Sequence, residues 1–221
     1  MSSPQLRLSQ LEFGALLTYA PHGSSVDAQR SKDVMRHLKR DGFIGEPQIL
    51  MSEWIAKITQ EKMAGLPFAS FFGPNTILVP APKSSLIRPN TLWVPERIAT
   101  ALVKRGIGKC VSPCLVRTAA VPKAASCAPQ DRPTAAQHYE SLSVQGGLAE
   151  PEEILLVDDV VTRGATLIGS ANRLADAFPK THIRAFAALR TISNPNEFRN
   201  VYDPCKGTID LWDTGETYRT P

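Results

Sequence analysis

The order of hydrophobic and polar positions in residues 1–75 predicts strands followed by two helices. Residues 6–19 are rich in apolar and aromatic side chains in partial alternation, which predicts one or two strands, and the run 20–25 predicts a turn. Apolar residues at helical spacing then predict two amphipathic helices. The first ends at Gly42, and the second starts after Ser52, a residue suited to the N-cap, and ends before Gly65.

From residue 76 onward, short apolar runs alternate with helical patterns. The predicted strands are 76–80, 114–118, 154–157 and 183–189, and the predicted helices are 95–106 and a run that Pro179 ends. Strands that alternate with helices favour an α/β fold, in which a mainly parallel sheet is flanked by helices.

Two further segments lack such periodicity. Residues 118–147 are rich in Ala, Pro, Ser and Gln, and a loop of this length in a compact domain is either disordered or functional. Residues 193–207 predict a second irregular segment. Residues 208–213, TIDLWD, predict a closing strand at the edge of the sheet.

Composition is that of an ordinary globular protein. With 221 residues, 43% of them hydrophobic, the chain is expected to form one structural domain. No apolar run has the length of a membrane span and the N-terminus lacks a signal-peptide pattern, so we expect a cytoplasmic protein without a membrane partner. The four cysteines lack the C-x2-C spacing of zinc ribbons and are expected to be reduced thiols, with metal binding as the alternative.

Positive charge is concentrated in the middle of the chain. The net charge is +4, yet residues 77–132 contain nine Lys or Arg against two acidic residues. Such a segment attracts a polyanion, either a nucleic acid or a polyphosphate metabolite. The simpler interpretation is a solvated basic face.

The clearest chemical motif is ILLVDDVVTRGAT, residues 154–166. Buried parallel strands end at the crevice where open α/β sheets bind ligands, so Asp158 and Asp159 are expected there. The glycine turn that follows leads into a helix, whose first N–H groups form an anion site. The hydroxyls of Thr162 and Thr166 add two donors.

This motif suggests a ligand with a phosphate at one end and hydroxyl groups at the other. A ribose 5-phosphate has both, with its hydroxyls donating to the aspartates. The same carboxylates are suitable ligands for Mg²⁺, directly or through water. Other interpretations are a strand capped by solvated aspartates, a different phosphosugar site, and a response-regulator receiver domain. The receiver requires a later apolar strand that ends in aspartate, and none precedes Asp203.

The motif resembles the thirteen-residue signature of the type I phosphoribosyltransferases, which bind phosphoribosyl pyrophosphate (PRPP). The wider layout is similar to the ComF-like branch of that family, where a strand ending in VPxP and followed by basic residues precedes the signature. Here that element is ILVPAPKSSLIR, residues 77–88. The resemblance implies a phosphoribosyltransferase-like core of residues 76–191, a nonstandard hood of residues 1–75 packed on it, and a C-terminal extension of residues 192–221.

The resemblance also implies roles for individual residues. Asp158 and Asp159 would be the catalytic pair that binds the ribose hydroxyls, and would hold Mg²⁺ directly, through water or through PRPP. The 5-phosphate loop would be Thr162, Arg163, Gly164, Ala165 and Thr166. The pyrophosphate would be bound by Lys83, Ser84, Ser85 and Arg88. Residues 118–147 fall where the family has a flexible catalytic loop, and the candidates there are Arg117, Lys123, Arg132 and His138.

The implied activity is displacement of pyrophosphate from PRPP by a nitrogen acceptor, a nucleobase or a related amine. Three departures from the family pattern bear on this. Arg163 replaces the commonest threonine, and Thr162 stands where the hypoxanthine-guanine branch has an aspartate. No cysteine precedes Cys110, so the N-terminal zinc ribbon common in the ComF-like branch is not expected here. The alternative is therefore a regulatory module that senses PRPP or a nucleotide without turnover and docks nucleic acid. A homodimer is expected as the commonest closed assembly.

Overall fold

The structure is a computed structural model that describes residues 6–86, 90–123, 127–128, 131–147 and 149–221. The strands in that part are β1 (Gln10–Tyr19), β2 (Phe43–Ile44), β3 (Ile49–Leu50), β4 (Ile77–Pro80), β5 (Cys110–Val111), β6 (Leu115–Arg117), β7 (Leu142–Val144), β8 (Glu153–Val161), β9 (His182–Thr191), β10 (Tyr202–Leu211) and β11 (Thr217–Thr220). The helices are α1 (Val26–Arg40), α2 (Met51–Lys62), α3 (Val94–Lys104), α4 (Ala135–Glu140) and α5 (Ala165–Ala177).

Seven strands form one sheet in the order β11-β10-β1-β9-β8-β4-β5. Strands β1, β9, β8, β4 and β5 run parallel to one another. β10 pairs antiparallel with β1, and β11 pairs antiparallel with β10. Two small antiparallel sheets, β2 with β3 and β6 with β7, lie outside it. The α/β prediction with a mainly parallel sheet flanked by helices is confirmed.

Helices cover both faces of the sheet, which explains the unbroken apolar run in β8. Ile154 and Leu156 are buried in the core cluster that includes the apolar face of α5. Leu155 and Val157 are buried in the other cluster, with residues of α1, α2 and α3. Because successive side chains of a strand point to opposite faces, residues 154–157 are apolar at every position where the strand is buried on both faces.

Several sequence predictions about elements were wrong. Residues 193–207 were expected to be irregular, but β10 begins within them at Tyr202. Residues 208–213 were expected at the sheet edge, but residues 202–211 form β10, which lies between β1 and the true edge strand β11. Ser52 was expected as an N-cap, but the N-cap of α2 is Leu50, two residues earlier. The Ser52 backbone and hydroxyl instead donate to the carboxylate of Asp41, at 2.8 and 3.1 Å. An acid from the end of α1 thus satisfies donors in the first turn of α2.

The division into hood, core and extension stays a prediction, and strands from all three segments contribute to the sheet. β1 comes from residues 1–75 and lies third from one edge. The segment 118–147, predicted as a loop, contains α4 and β7 in its described part. A complete capping box between Thr134 and Gln137 begins α4.

Candidate functional site

The two predicted acids lie near the carboxyl end of β8. Both residues are partly buried. The backbone N–H of Asp159 donates to Oδ1 of Asp158 at 2.8 Å. On the neighbouring strand β4, the backbone N–H of Ala81 donates to the Val157 carbonyl at 2.8 Å, so the segment that follows β4 starts beside the acids.

A lysine from the N-terminal segment contacts this acid pair. Nζ of Lys39, in the last turn of α1, lies 2.8 Å from Oδ2 of Asp159. Burial raises the pKa of Asp158, and the adjacent Asp159 carboxylate adds to the rise while the charge of Lys39 opposes it. The pair therefore favours a ligand that donates hydrogen bonds or brings positive charge. Sequence patterns gave no sign of Lys39, because the contact spans 120 positions.

The glycine turn after β8 forms one pocket with Asp158. Ala165, the first residue of α5, follows Gly164, which is the N-cap and has φ of +90°. Because the N-cap is glycine, no N-cap side chain accepts hydrogen bonds from the first N–H groups of α5. The first turn of α5 also has no acidic residue. The pocket is lined by Asp158, by the predicted phosphate loop from Thr162 to Thr166, and by Arg132 and His138. Its loop and helix are a suitable anion site.

Close packing against β10 requires glycine at position 164. A Cβ atom there would lie 2.6 Å from Cγ2 of Ile209. The positive φ is also a conformation that other residues adopt only with strain. The turn is therefore pressed onto the antiparallel part of the sheet.

The C-terminal strand supports the same turn through Arg219. Its Nε donates to the carbonyl of Thr162 at 2.7 Å, and Nη2 donates to the carbonyl of Thr191 at 2.7 Å. Arg219 thus ties the phosphate loop to the end of β9. No sequence signal pointed to it, because a lone arginine in a terminal segment is ordinarily a surface residue.

The predicted pyrophosphate residues lie in the segment after β4. Lys83 and Ser84 are partly buried and Ser85 is exposed, whereas Arg88 lies outside the described residues. Nζ of Lys83 donates to the Thr91 hydroxyl at 3.1 Å, and the Ser84 carbonyl accepts from the backbone N–H of Val121 at 2.9 Å.

The four candidates from the predicted flexible loop separate into different environments. Arg117 and His138 are buried, with 3% and 4% of their surfaces exposed. Arg132 lines the pocket beside the phosphate loop, and its buried Nε has no hydrogen-bond partner among the described residues. Lys123 is exposed. The structure therefore brings Arg132 and His138 to the phosphate pocket, and their predicted role toward pyrophosphate stays a prediction.

Other chemistry is sparse in the described part of the chain. It contains no group of three or more His, Cys, Asp or Glu residues arranged to hold a metal ion. The four cysteines, all described, are not in disulfides. None of the described helices combines the length and apolar character that crossing a membrane requires.

Comparisons with known proteins found little. No family model matches the chain, and no curated protein matches it. Among solved structures, a hypoxanthine phosphoribosyltransferase from Staphylococcus aureus aligns with 68% of this chain and 71% of its own, at 14% identity and a TM-score of 0.32. A similarity this weak carries no argument about function, which must come from the site itself.

Proposed function

We propose that this protein is a phosphoribosyltransferase that binds PRPP and transfers its phosphoribosyl group to a nitrogen acceptor. One observation carries the proposal: the carboxylate of Asp158 and the uncapped N-terminus of α5 line the same pocket. Hydrogen-bond acceptors and an anion site within one pocket match the two ends of a ribose 5-phosphate.

The phosphate end of the pocket is well supplied with donors. The N–H groups at the start of α5 and the hydroxyls of Thr162 and Thr166 would surround the 5-phosphate oxygens. Arg132 and Arg163 also line this pocket and would supply positive charge. Arg163 therefore supports phosphate binding, although it replaces the threonine that is commonest in the family's loop.

At the other end, Asp158 and Asp159 would accept hydrogen bonds from the ribose 2- and 3-hydroxyls. Carboxylate oxygens also suit Mg²⁺, so the donor set present here fits that ion. Bound with PRPP, Mg²⁺ would supply positive charge to the leaving pyrophosphate. Lys83, Ser84 and Ser85, in the segment that starts beside the acids, would bind the pyrophosphate itself.

In this reaction the bond from the anomeric carbon to pyrophosphate oxygen breaks and a bond to the acceptor nitrogen forms. The transition state resembles an oxocarbenium ion, as in glycoside hydrolysis. The chain's own residues would hold both ends of the ribose so that the anomeric carbon faces the acceptor. Basic residues of the predicted pyrophosphate-binding segment, residues 83–88, would stabilise the charge that develops on pyrophosphate.

A second candidate function is a PRPP- or nucleotide-sensing module without turnover. It is favoured by one observation: position 162, where the hypoxanthine-guanine branch of the family has an acid that activates the base, is an exposed threonine. Salt-sensitive binding to nucleic acid that PRPP modulates would support this alternative.

The decisive experiment is pyrophosphate release from Mg²⁺–PRPP across a panel of purines, pyrimidines and amines. We expect one acceptor to support turnover in the natural protein, and none in a variant with Asp158→Asn and Asp159→Asn. Absence of release with every acceptor, alongside retained PRPP binding, would instead favour the sensing module.

A further inference from the structure

The buried side chains of Arg117 and His138 connect the predicted pyrophosphate-binding segment, at Lys83, to the phosphate pocket. Nε of Arg117 donates to the Lys83 carbonyl at 2.5 Å, and its Nη1 donates to the Ser141 hydroxyl at 2.5 Å. Its Nη2 lies 3.3 Å from Nδ1 of His138. Nε2 of His138 in turn lies 3.2 Å from the hydroxyl oxygen of Thr166. We refer to these contacts as the Arg117–His138–Thr166 chain.

The Arg117–His138–Thr166 chain is buried at Arg117 and His138. Arg117 is 3% exposed and His138 is 4% exposed. His138 lies on α4, against Gly169 of α5, where a Cβ atom would meet His138 Cβ at 2.8 Å. The contacts therefore form an internal support that reaches the pocket at His138 and Thr166.

The direction of the hydrogen bonds follows from the guanidinium group. Arginine has only donors, so Nδ1 of His138 must accept and cannot carry a proton. Burial, followed by the charge of Arg117, lowers the pKa of His138 to about 4, and burial lowers the pKa of Arg117 to about 10. At neutral pH the arginine is thus a cation and the histidine is neutral, with its proton on Nε2.

This tautomer determines what the Thr166 hydroxyl does. Nε2–H of His138 donates to the Thr166 oxygen, which leaves the hydroxyl proton of Thr166 to be donated elsewhere. Within the residues that the structure describes, no second hydrogen-bond partner of this hydroxyl is found. Thr166 lies in the first turn of α5 and lines the pocket with Arg132 and Arg163, so an anion there is the natural acceptor.

We infer that Arg117 and His138 are positioning residues that orient the Thr166 hydroxyl as a donor to the phosphate of a phosphate monoester. The inference rests on the proposed function, because it assigns a phosphate to this pocket. It also gives the segment 118–147 a structural part in binding: α4 places His138 behind the phosphate loop. The same guanidinium holds the Lys83 carbonyl, so both loops share one support.

The test is calorimetric titration with ribose 5-phosphate. In His138→Asn the amide oxygen still accepts from Arg117, but the side chain is too short to donate to Thr166. In His138→Gln an N–H donor is placed near the position of Nε2. We expect His138→Asn and Thr166→Val each to weaken binding about tenfold, the size of one hydrogen bond to a charged group. His138→Gln and Thr166→Ser should bind within about twofold of the natural protein.

A double variant separates positioning from general packing. If His138 acts through Thr166, His138→Asn causes no further loss in a Thr166→Val background. Equal affinity of His138→Asn and the natural protein would overturn the inference, as would an undiminished loss in the Thr166→Val background. Thermal unfolding of each variant verifies the fold, and if His138→Asn does not fold, His138→Leu, which removes both ring nitrogens but keeps side-chain bulk, takes its place in both Thr166 backgrounds.

Ribose 5-phosphate binding by the variants tests this inference, and pyrophosphate release tests the proposed function, so each can fail separately. Tight ribose 5-phosphate binding that is insensitive to His138, with pyrophosphate release intact, would refute the inference alone. Coupling between His138 and Thr166 without pyrophosphate release for any acceptor would uphold the inference and refute catalysis. A natural protein that binds no ribose 5-phosphate would contradict both.

Discussion

The ammonium group of Lys39 lies 2.8 Å from the carboxylate of Asp159, and this ion pair joins the end of α1 to the end of β8. The Asp159 side chain is 13% exposed and that of Lys39 is 49% exposed. Lys39 thus contacts one of the oxygens that the proposed function assigns to ribose hydroxyls. A bound ribose must compete with it.

The first prediction concerns this competition. Lys39→Gln removes the charge that holds Asp159, so we expect ribose 5-phosphate affinity to rise by up to about fivefold, corresponding to an ion pair of roughly 1 kcal/mol. Lys39→Arg keeps the charge and should bind like the natural protein. The measurement is calorimetric titration at low salt, and a fall in affinity for Lys39→Gln would show that Lys39 binds the ligand.

The second prediction concerns the pH dependence of folding. Because the pKa of His138 falls from 6.5 to about 4 on folding, the unfolded state takes up this proton first as the pH decreases. The stability that neutral His138 contributes is complete above about pH 6.5 and is lost as the pH falls toward 4. The free energy of unfolding, relative to that of His138→Gln, should decline by roughly 3 kcal/mol over this range.

Chemical denaturation at a series of pH values from 4 to 7 measures this difference. The control is His22→Gln, a substitution in an exposed turn. The stability difference between that variant and the natural protein should be nearly constant with pH. A constant difference for His138→Gln as well would mean that folding does not lower the pKa of His138.

The third prediction separates backbone strain from close packing in the phosphate loop. Gly164 and Gly146 have similar φ values, +90° and +96°, but only at Gly164 would a Cβ atom contact Ile209. Gly146→Ala should therefore cost about 1 kcal/mol of stability, and Gly164→Ala about 1–3 kcal/mol more.

Urea denaturation of the two alanine variants checks the difference. Combining Gly164→Ala with Ile209→Val removes one of the atoms nearest the new methyl group and should restore part of the loss. Equal destabilisation by the two single substitutions would show that β10 is not packed against the loop.

Part of this organisation was predictable from sequence, and part was not. Periodicity located the strand that became β8 and the helix that became α5, because residues buried on both faces or on one helical face leave a local pattern. Asp158 and the phosphate loop are also adjacent in sequence at the end of this strand, which predicted that they share a crevice. Since both lie on one continuous strand, turn and helix, tertiary structure adds little to their relative position.

The residues that surround this unit were not predictable, because they come from distant segments. Lys39 approaches from α1, and Arg219 from β11, a strand that sequence patterns did not indicate. Arg117 and His138 were predicted as candidates of a flexible loop, and the structure places them in β6 and α4, where both are buried. Their charge and polarity suggested exposure, and only the packing of α4 on α5 shows that hydrogen bonds offset their burial.

The fourth prediction tests the support that β11 gives the loop. Arg219→Met removes two hydrogen bonds and leaves the carbonyls of Thr162 and Thr191 without these donors, so we expect a loss of about 2–4 kcal/mol in stability. Ribose 5-phosphate binding should weaken as the loop is released. The matched control is the exposed Arg199, whose replacement by Met should change stability by less than about 0.5 kcal/mol. Similar effects of both substitutions would show that Arg219 does not support the phosphate loop.

The central claim is that the acid pair and the phosphate loop bind the two ends of one phosphoribosyl group. Calorimetric titration of Mg²⁺–PRPP into the natural protein and into the variant with Asp158→Asn and Asp159→Asn tests it most directly. Loss of two charge-assisted hydrogen bonds predicts at least a hundredfold weaker binding, roughly 3 kcal/mol, in a variant that remains folded. Undiminished affinity of the double variant for Mg²⁺–PRPP would contradict the claim.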